Sequence, residues 1–162
     1  YWLDQWIKNQ VRWALNLPEV GTIEILPFFN LHWTQNYGVS LGMLTADSIE
    51  MRALLIAITS AIALGVLAWL LWEKTWPEIV GLAMVLGGAA GNIRDRMRYG
   101  YVVDYADLHF GEFRPFLVFN LADAAITLGI LIVLARSFLS REKRDPQDAN
   151  KISAAAADAS ES

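Results

Sequence analysis

The 162-residue sequence contains no cysteine, which removes disulfides, thiolate metal sites and a cysteine nucleophile at once. Histidine is almost as scarce. His32 and His109 lie far apart without metal-ligand spacing, so no metal is expected. Basic residues are outnumbered, 13 Lys and Arg against 17 Asp and Glu, which argues against a nucleic-acid-binding face. Most of the formal charge of −4 belongs to the end of the chain. Residues 145–162 hold Asp145, Asp148, Asp158 and Glu161 against Lys151. They carry too little apolar surface to fold and read as a disordered polar tail.

What the chain has in excess is apolar sequence. It is 55% hydrophobic, above the roughly 45–50% of an ordinary soluble domain. The excess sits in runs. Residues 53–72 are twenty uncharged positions, about 30 Å of helix, the thickness of a hydrocarbon core. The polar turn 73–78 (EKTWPE) is short, so the next span returns antiparallel from about Ile79 to just before Arg94. Its small residues Gly81, Gly87, Gly88 and Gly91 let another helix approach closely. A further span is expected over about 116–137, with Arg136 at its end and Arg141, Lys143 and Arg144 after it, a cluster that marks the cytoplasmic side. Counting back places 73–78 inside, with 18–50 and 98–115 outside.

The remaining stretches are shorter. Residues 1–17 set Asp4, Lys8 and Arg12 on one helical stripe, which suits an interfacial amphipathic helix. Residues 18–50 alternate apolar and polar side chains in T-I-E-I-L and F-N-L-H-W-T, predicting three or more short strands resting on the membrane surface. Tyr99-Gly100-Tyr101 reads as a turn, and VVDYADLHF as a strand or short helix. Asp107, Glu112 and Arg114 read as solvated loop charges. The seven tryptophans read as interfacial anchors.

Against this background the stretch from Gly87 to Ile126 stands out. It places Asn92, Asp95, Arg96, Asp104, Asn120 and Asp123 in or beside membrane-depth segments, where ionisable groups are costly and functional by default. Asn92, Asp95 and Arg96 share a helix face, as do Asn120 and Asp123. Asp104 alone would be an ordinary loop acid. Packed beside Asp123, it would form a carboxylate pair of which one member keeps its proton. Such a pair can activate water and polarise a carbonyl. A small proton- or ion-translocating membrane protein is the alternative. It would usually show more spans or an internal repeat, and neither is visible.

The same residues carry a resemblance. GNIRDR at 91–96, GYVVDY at 100–105 and FNLAD at 119–123 resemble the blocks of lipoprotein signal peptidase (signal peptidase II), joined by DQWIK at 4–8 and NYGVSL at 36–41. The likeness spans about residues 2–139. It implies a membrane all-α fold, four transmembrane helices with a small extracytoplasmic β-sheet element. It implies one integral membrane peptidase domain over 1–144, with 1–17 as the outer end of a first helix trimmed at its start. Asp104 and Asp123 are the implied catalytic pair, with no cofactor. Asn36, Asn92, Asp95, Arg96, Asn120, Asp4 and Lys8 are the implied substrate-holding or supporting residues, although from the residues alone Asp95 beside Arg96 reads chiefly as a structural pair or interfacial anchor. The implied substrate is a bacterial prolipoprotein whose cysteine carries diacylglycerol, cut just before that cysteine. The implied setting is the inner membrane, among its lipids, as a monomer with the site toward the extracytoplasmic face. Leu41, Tyr105 and Ile7 depart from the pattern, Tyr105 standing where phenylalanine is usual.

Overall fold

The computed structural model describes residues 1–38 and 48–158, with side chains through residue 139. Its helices are α1 (Trp2–Asn9), α2 (Leu17–Val20), α3 (Ile49–Trp72), α4 (Trp76–Tyr99) and α5 (Leu121–Asp158). Its strands are β1 (Thr22–Leu26), β2 (Phe29–Asn36) and β3 (Val102–Leu108). The chain is therefore mostly helical, with one small antiparallel sheet in the order β1-β2-β3.

Among the described residues, two helices are long and apolar enough to cross a membrane. They are α3, with mean hydropathy 2.5, and the Leu121–Leu139 part of α5, with 1.8. The chain between them, α4, is as long as α3 but carries Arg94, Asp95, Arg96 and Arg98 in its last turns. Ser48 starts α3 by accepting the Met51 N–H at 3.1 Å, relieving one of the orphan donors of the first turn. The hairpin between α3 and α4 is organised by Glu73, whose Oε1 accepts from the N–H groups of Lys74 and Thr75.

Glycine sets how closely α4 and α5 meet. A Cβ on Gly88 would fall 2.5 Å from the Ala122 carbonyl oxygen, and one on Gly81 2.8 Å from that of Gly129. Only a bare backbone fits there. At its other end α4 stops because Gly100 takes φ +88°, a left-handed conformation that a side chain would strain.

The sheet folds over the ends of these helices. Val11, Leu17, Val103, Tyr105 and Ala106 form its core, with Ile23, Leu31 and Trp33 packed against them. The π-wound segment Gln10–Ala14 brings Val11 into that core, and the Arg12 guanidinium over the Tyr99 ring at 4.2 Å to the centroid.

Several expectations change. Of the strands expected within 18–50, two occur among the described residues, and β3 supplies the third. The end of the 36–41 block, Val39–Leu41, lies outside the described residues. The last helix begins at Leu121 rather than near 116, because Phe119 bridges Ala106 of β3 instead of joining the helix. The backbone of α5 stays helical past the expected boundary at 144, to Asp158. Asp107 is no solvated loop charge: it is 3% exposed on β3, with Oδ1 3.2 Å from Arg114 Nε.

Candidate active site

Three elements converge where α5 begins. β3 carries Asp104, the last turns of α4 carry Asn92, Asp95 and Arg96, and the N-terminus of α5 carries Asn120 and Asp123. The Ala106–Phe119 bridge holds β3 and the start of α5 side by side, which is why residues 104 and 123 meet.

Asn120 is the pivot. As N-cap it accepts the Asp123 N–H at 3.0 Å through Oδ1, while Asp123 Oδ2 accepts the Asn120 N–H at 3.1 Å. This reciprocal box satisfies two backbone donors and fixes the Asp123 side chain in the first turn. The Nδ2 of Asn120 reaches across to Asp104 Oδ1 at 2.6 Å. Asn120 thus precedes the helix face it was expected to share. Asp104 Oδ2 accepts from Asn36 Nδ2 at 2.9 Å, and Asp123 Oδ1 from Asn92 Nδ2 at 2.8 Å. Burial above all, and then the negative charge of Asp123, push the Asp104 carboxyl from its ordinary 3.8 up to about 6, against the amides of Asn36 and Asn120.

A second charged cluster lies behind. Asp4, Lys8 and Asp95 are 2%, 4% and 0% exposed. The Lys8 ammonium is 2.8 Å from Asp95 Oδ2 and 3.1 Å from Asp4 Oδ2, and it donates to Asn92 Oδ1 at 3.2 Å. The partner of Asp95 is therefore Lys8 and not Arg96. The Arg96 Nε is buried without a hydrogen bond among the described residues.

Sequence reasoning missed two participants. Gln5 Nε2 donates to Asp4 Oδ2 at 3.1 Å and Asp95 Oδ1 at 3.0 Å, and its Oε1 accepts from Arg94. Tyr105 was seen only as a departure from phenylalanine, yet its hydroxyl accepts the Leu121 N–H at 3.3 Å. With Asp4 Oδ1 on the Ala122 N–H at 3.1 Å and Asn120 on that of Asp123, each of the first three α5 donors has a side-chain acceptor.

Two recesses flank the carboxylates. A groove of about 370 Å³ runs beside Asp123 between Phe116, Phe119, Ala124, Thr127 and Leu128. Another of about 360 Å³ opens beside Asp104, walled by Thr34, Asn36, Tyr37, Gly38 and Leu117. Among the described residues no group of three or more His, Asp or Glu could hold a metal ion.

The model of the signal peptidase II family matches residues 1–139. The chain belongs to that family. The lipoprotein signal peptidase of Rhizorhabdus wittichii is 51% identical over 146 residues, covering 90% of this chain and 85% of that one. The lipoprotein signal peptidase of Sphingopyxis alaskensis is 48% identical over 147 residues, covering 91% and 85%. Two solved bacterial membrane enzymes share the fold. Their TM-scores are 0.72 and 0.70, at 23% and 25% identity, over 87% and 83% of this chain and 84% of each of theirs. As a signal peptidase II the chain is a membrane protein that hydrolyses peptide bonds.

Proposed function

We infer that this chain removes signal peptides from prolipoproteins, with Asp104 and Asp123 as the catalytic pair. The observation that carries the assignment is Asn120, which hydrogen-bonds both carboxylates. One residue thereby holds two acids in one site, the arrangement needed to share a single proton.

Asp104 holds that proton, consistent with its raised pKa. Asp123 takes a proton from water while the water oxygen attacks the scissile carbonyl carbon and Asp104 donates its proton to the carbonyl oxygen. The tetrahedral intermediate collapses as the C–N bond breaks. The departing nitrogen takes the proton from Asp123, and the carbonyl re-forms as a hydroxyl proton returns to Asp104. Both carboxyl groups end as they began. Asn36, Asn92 and Asn120 orient the pair, Asp4, Lys8 and Asp95 brace it, and Arg96 offers its guanidinium to a substrate carbonyl.

The peptidase domain spans 1–144, and 145–162 lies outside it. Four spans suit the substrate, itself a helix with attached lipid, and α1, α3, α4 and α5 take part in them. With the basic residues after α5 in the cytoplasm, the start of α5 and both aspartates face the outer leaflet of the inner membrane. The apolar groove beside Asp123 suits the lipid-bearing side of the substrate. The reading takes the working unit to be a monomer.

The test is incubation of the purified protein, in detergent or bilayer, with a diacylglyceryl-modified precursor. A shortened product is expected, with the unmodified precursor left intact. A folded protein that cuts neither overturns the reading.

A further inference from the structure

Behind the catalytic pair, Asp4 and Asp95 form a second pair of buried carboxylates, and each holds the backbone one residue before a catalytic aspartate. Asp95 Oδ2 accepts the Val103 N–H at 3.2 Å, next to Asp104. Asp4 Oδ1 accepts the Ala122 N–H at 3.1 Å, next to Asp123. Between them lie two bridging side chains from α1. Lys8 Nζ touches Asp4 Oδ2 and Asp95 Oδ2, and Gln5 Nε2 touches Asp4 Oδ2 and Asp95 Oδ1. We propose that Asp4, Gln5, Lys8 and Asp95 act as a spacer that sets the separation of Asp104 and Asp123, and that Gln5 is a positioning residue of the reaction.

The chemistry of the cluster explains why residue 5 is an amide. Two buried carboxylates face one ammonium, and each of their four oxygens has a donor. A buried carboxylate oxygen without a donor is costly. Gln5 supplies a neutral donor to both acids, and its own oxygen is used by Arg94 while Nε2 also reaches the Gly91 carbonyl at 3.3 Å. The amide is therefore fixed in orientation and links the two acids at constant span. Gly91 makes room for this, since a Cβ there would fall 2.6 Å from Asp4 Oδ2. Fixing the backbone at 103 and 122 relative to one cluster fixes residues 104 and 123 relative to each other.

The inference rests on Asp104 and Asp123 being the catalytic pair. Gln5→Met keeps side-chain length and removes both carboxylate contacts. The expected result is a fall in kcat of about tenfold with KM within about twofold, as for a misplaced catalytic group. The two limbs of the pH profile should also draw together, because carboxylates held less closely share a proton less strongly. Gln5→Asn, which keeps the amide but is too short to reach both acids, should fall between. A purely structural role would lower Tm and leave kcat and both limbs unchanged for the folded enzyme, which overturns the proposal. A measurement on the unaltered protein covers loss of folding. The Val103 and Ala122 amides should be among the slowest to exchange hydrogen, and rapid exchange at either overturns the spacer. Absence of turnover by the unaltered enzyme would instead sink the peptidase reading.

Discussion

The Nδ2 of Asn120 lies 2.6 Å from Oδ1 of Asp104, while the backbone N–H of Asn120 serves Asp123. A single residue thus spans the two carboxylates, and the site is only as wide as one asparagine.

Replacing either acid should stop the reaction. Asp104→Asn and Asp123→Asn should each cut turnover by at least about 10³-fold, with expression and helix content kept. The double variant should be little worse than either single one, because the two act as a unit. Near-normal cleavage by either single variant, in a gel assay on lipidated precursor, would remove that residue from the mechanism.

The raised pKa of Asp104 has a sign that can be checked by unfolding. Folded, the group titrates near 6, above its ordinary 3.8, so between these values the native state binds more protons. Stability therefore falls as pH rises from about 4 to about 6, at most about 3 kcal/mol in total. Asp104→Asn should flatten this slope and be the more stable protein at pH 7. Thermal unfolding of both proteins at pH 4 and pH 7 measures it, and parallel pH dependences would contradict it. For activity, the kcat/KM of the free enzyme should decline on the alkaline side as Asp104 loses its proton.

Gly88→Ala tests the contact of α4 with α5. The new methyl would sit 2.5 Å from a backbone oxygen, which cannot rotate away, so the helices must part. A loss of about 1–3 kcal/mol is expected, read as a lower Tm, together with reduced kcat. An unchanged Tm would mean the contact is looser than described.

The absence of cysteine makes topology easy to read. Lys74→Cys and Glu112→Cys should react with an impermeant thiol reagent from opposite sides of the membrane. Labelling from one side would rule out the proposed four-span arrangement.

The apolar period of α3, the hairpin at Glu73 and the Gly100 turn were all legible, because local composition decides them. So was the convergence of Asp104 and Asp123, through the resemblance. The start of α5 was misplaced because Phe116 to Phe119 look like more of the same apolar run. The signal that could have corrected it is Asn120 followed three residues later by Asp123, a capping pattern. The sheet was only half legible, since β3 pairs with β2 across some seventy residues and VVDYADL has no clean alternation. Gln5 stands inside the DQWIK block, yet a lone glutamine on a helix gives no hint of the carboxylate arriving from residue 95.

The first donors of α5 are taken by Tyr105, Asp4 and Asn120, and the Asp4–Ala122 contact joins residues 118 positions apart. During synthesis, α1 must therefore wait for nearly the whole enzyme to follow it before that contact can form. The braced form of the site is thereby a late event of folding, reached only once residue 122 has been made.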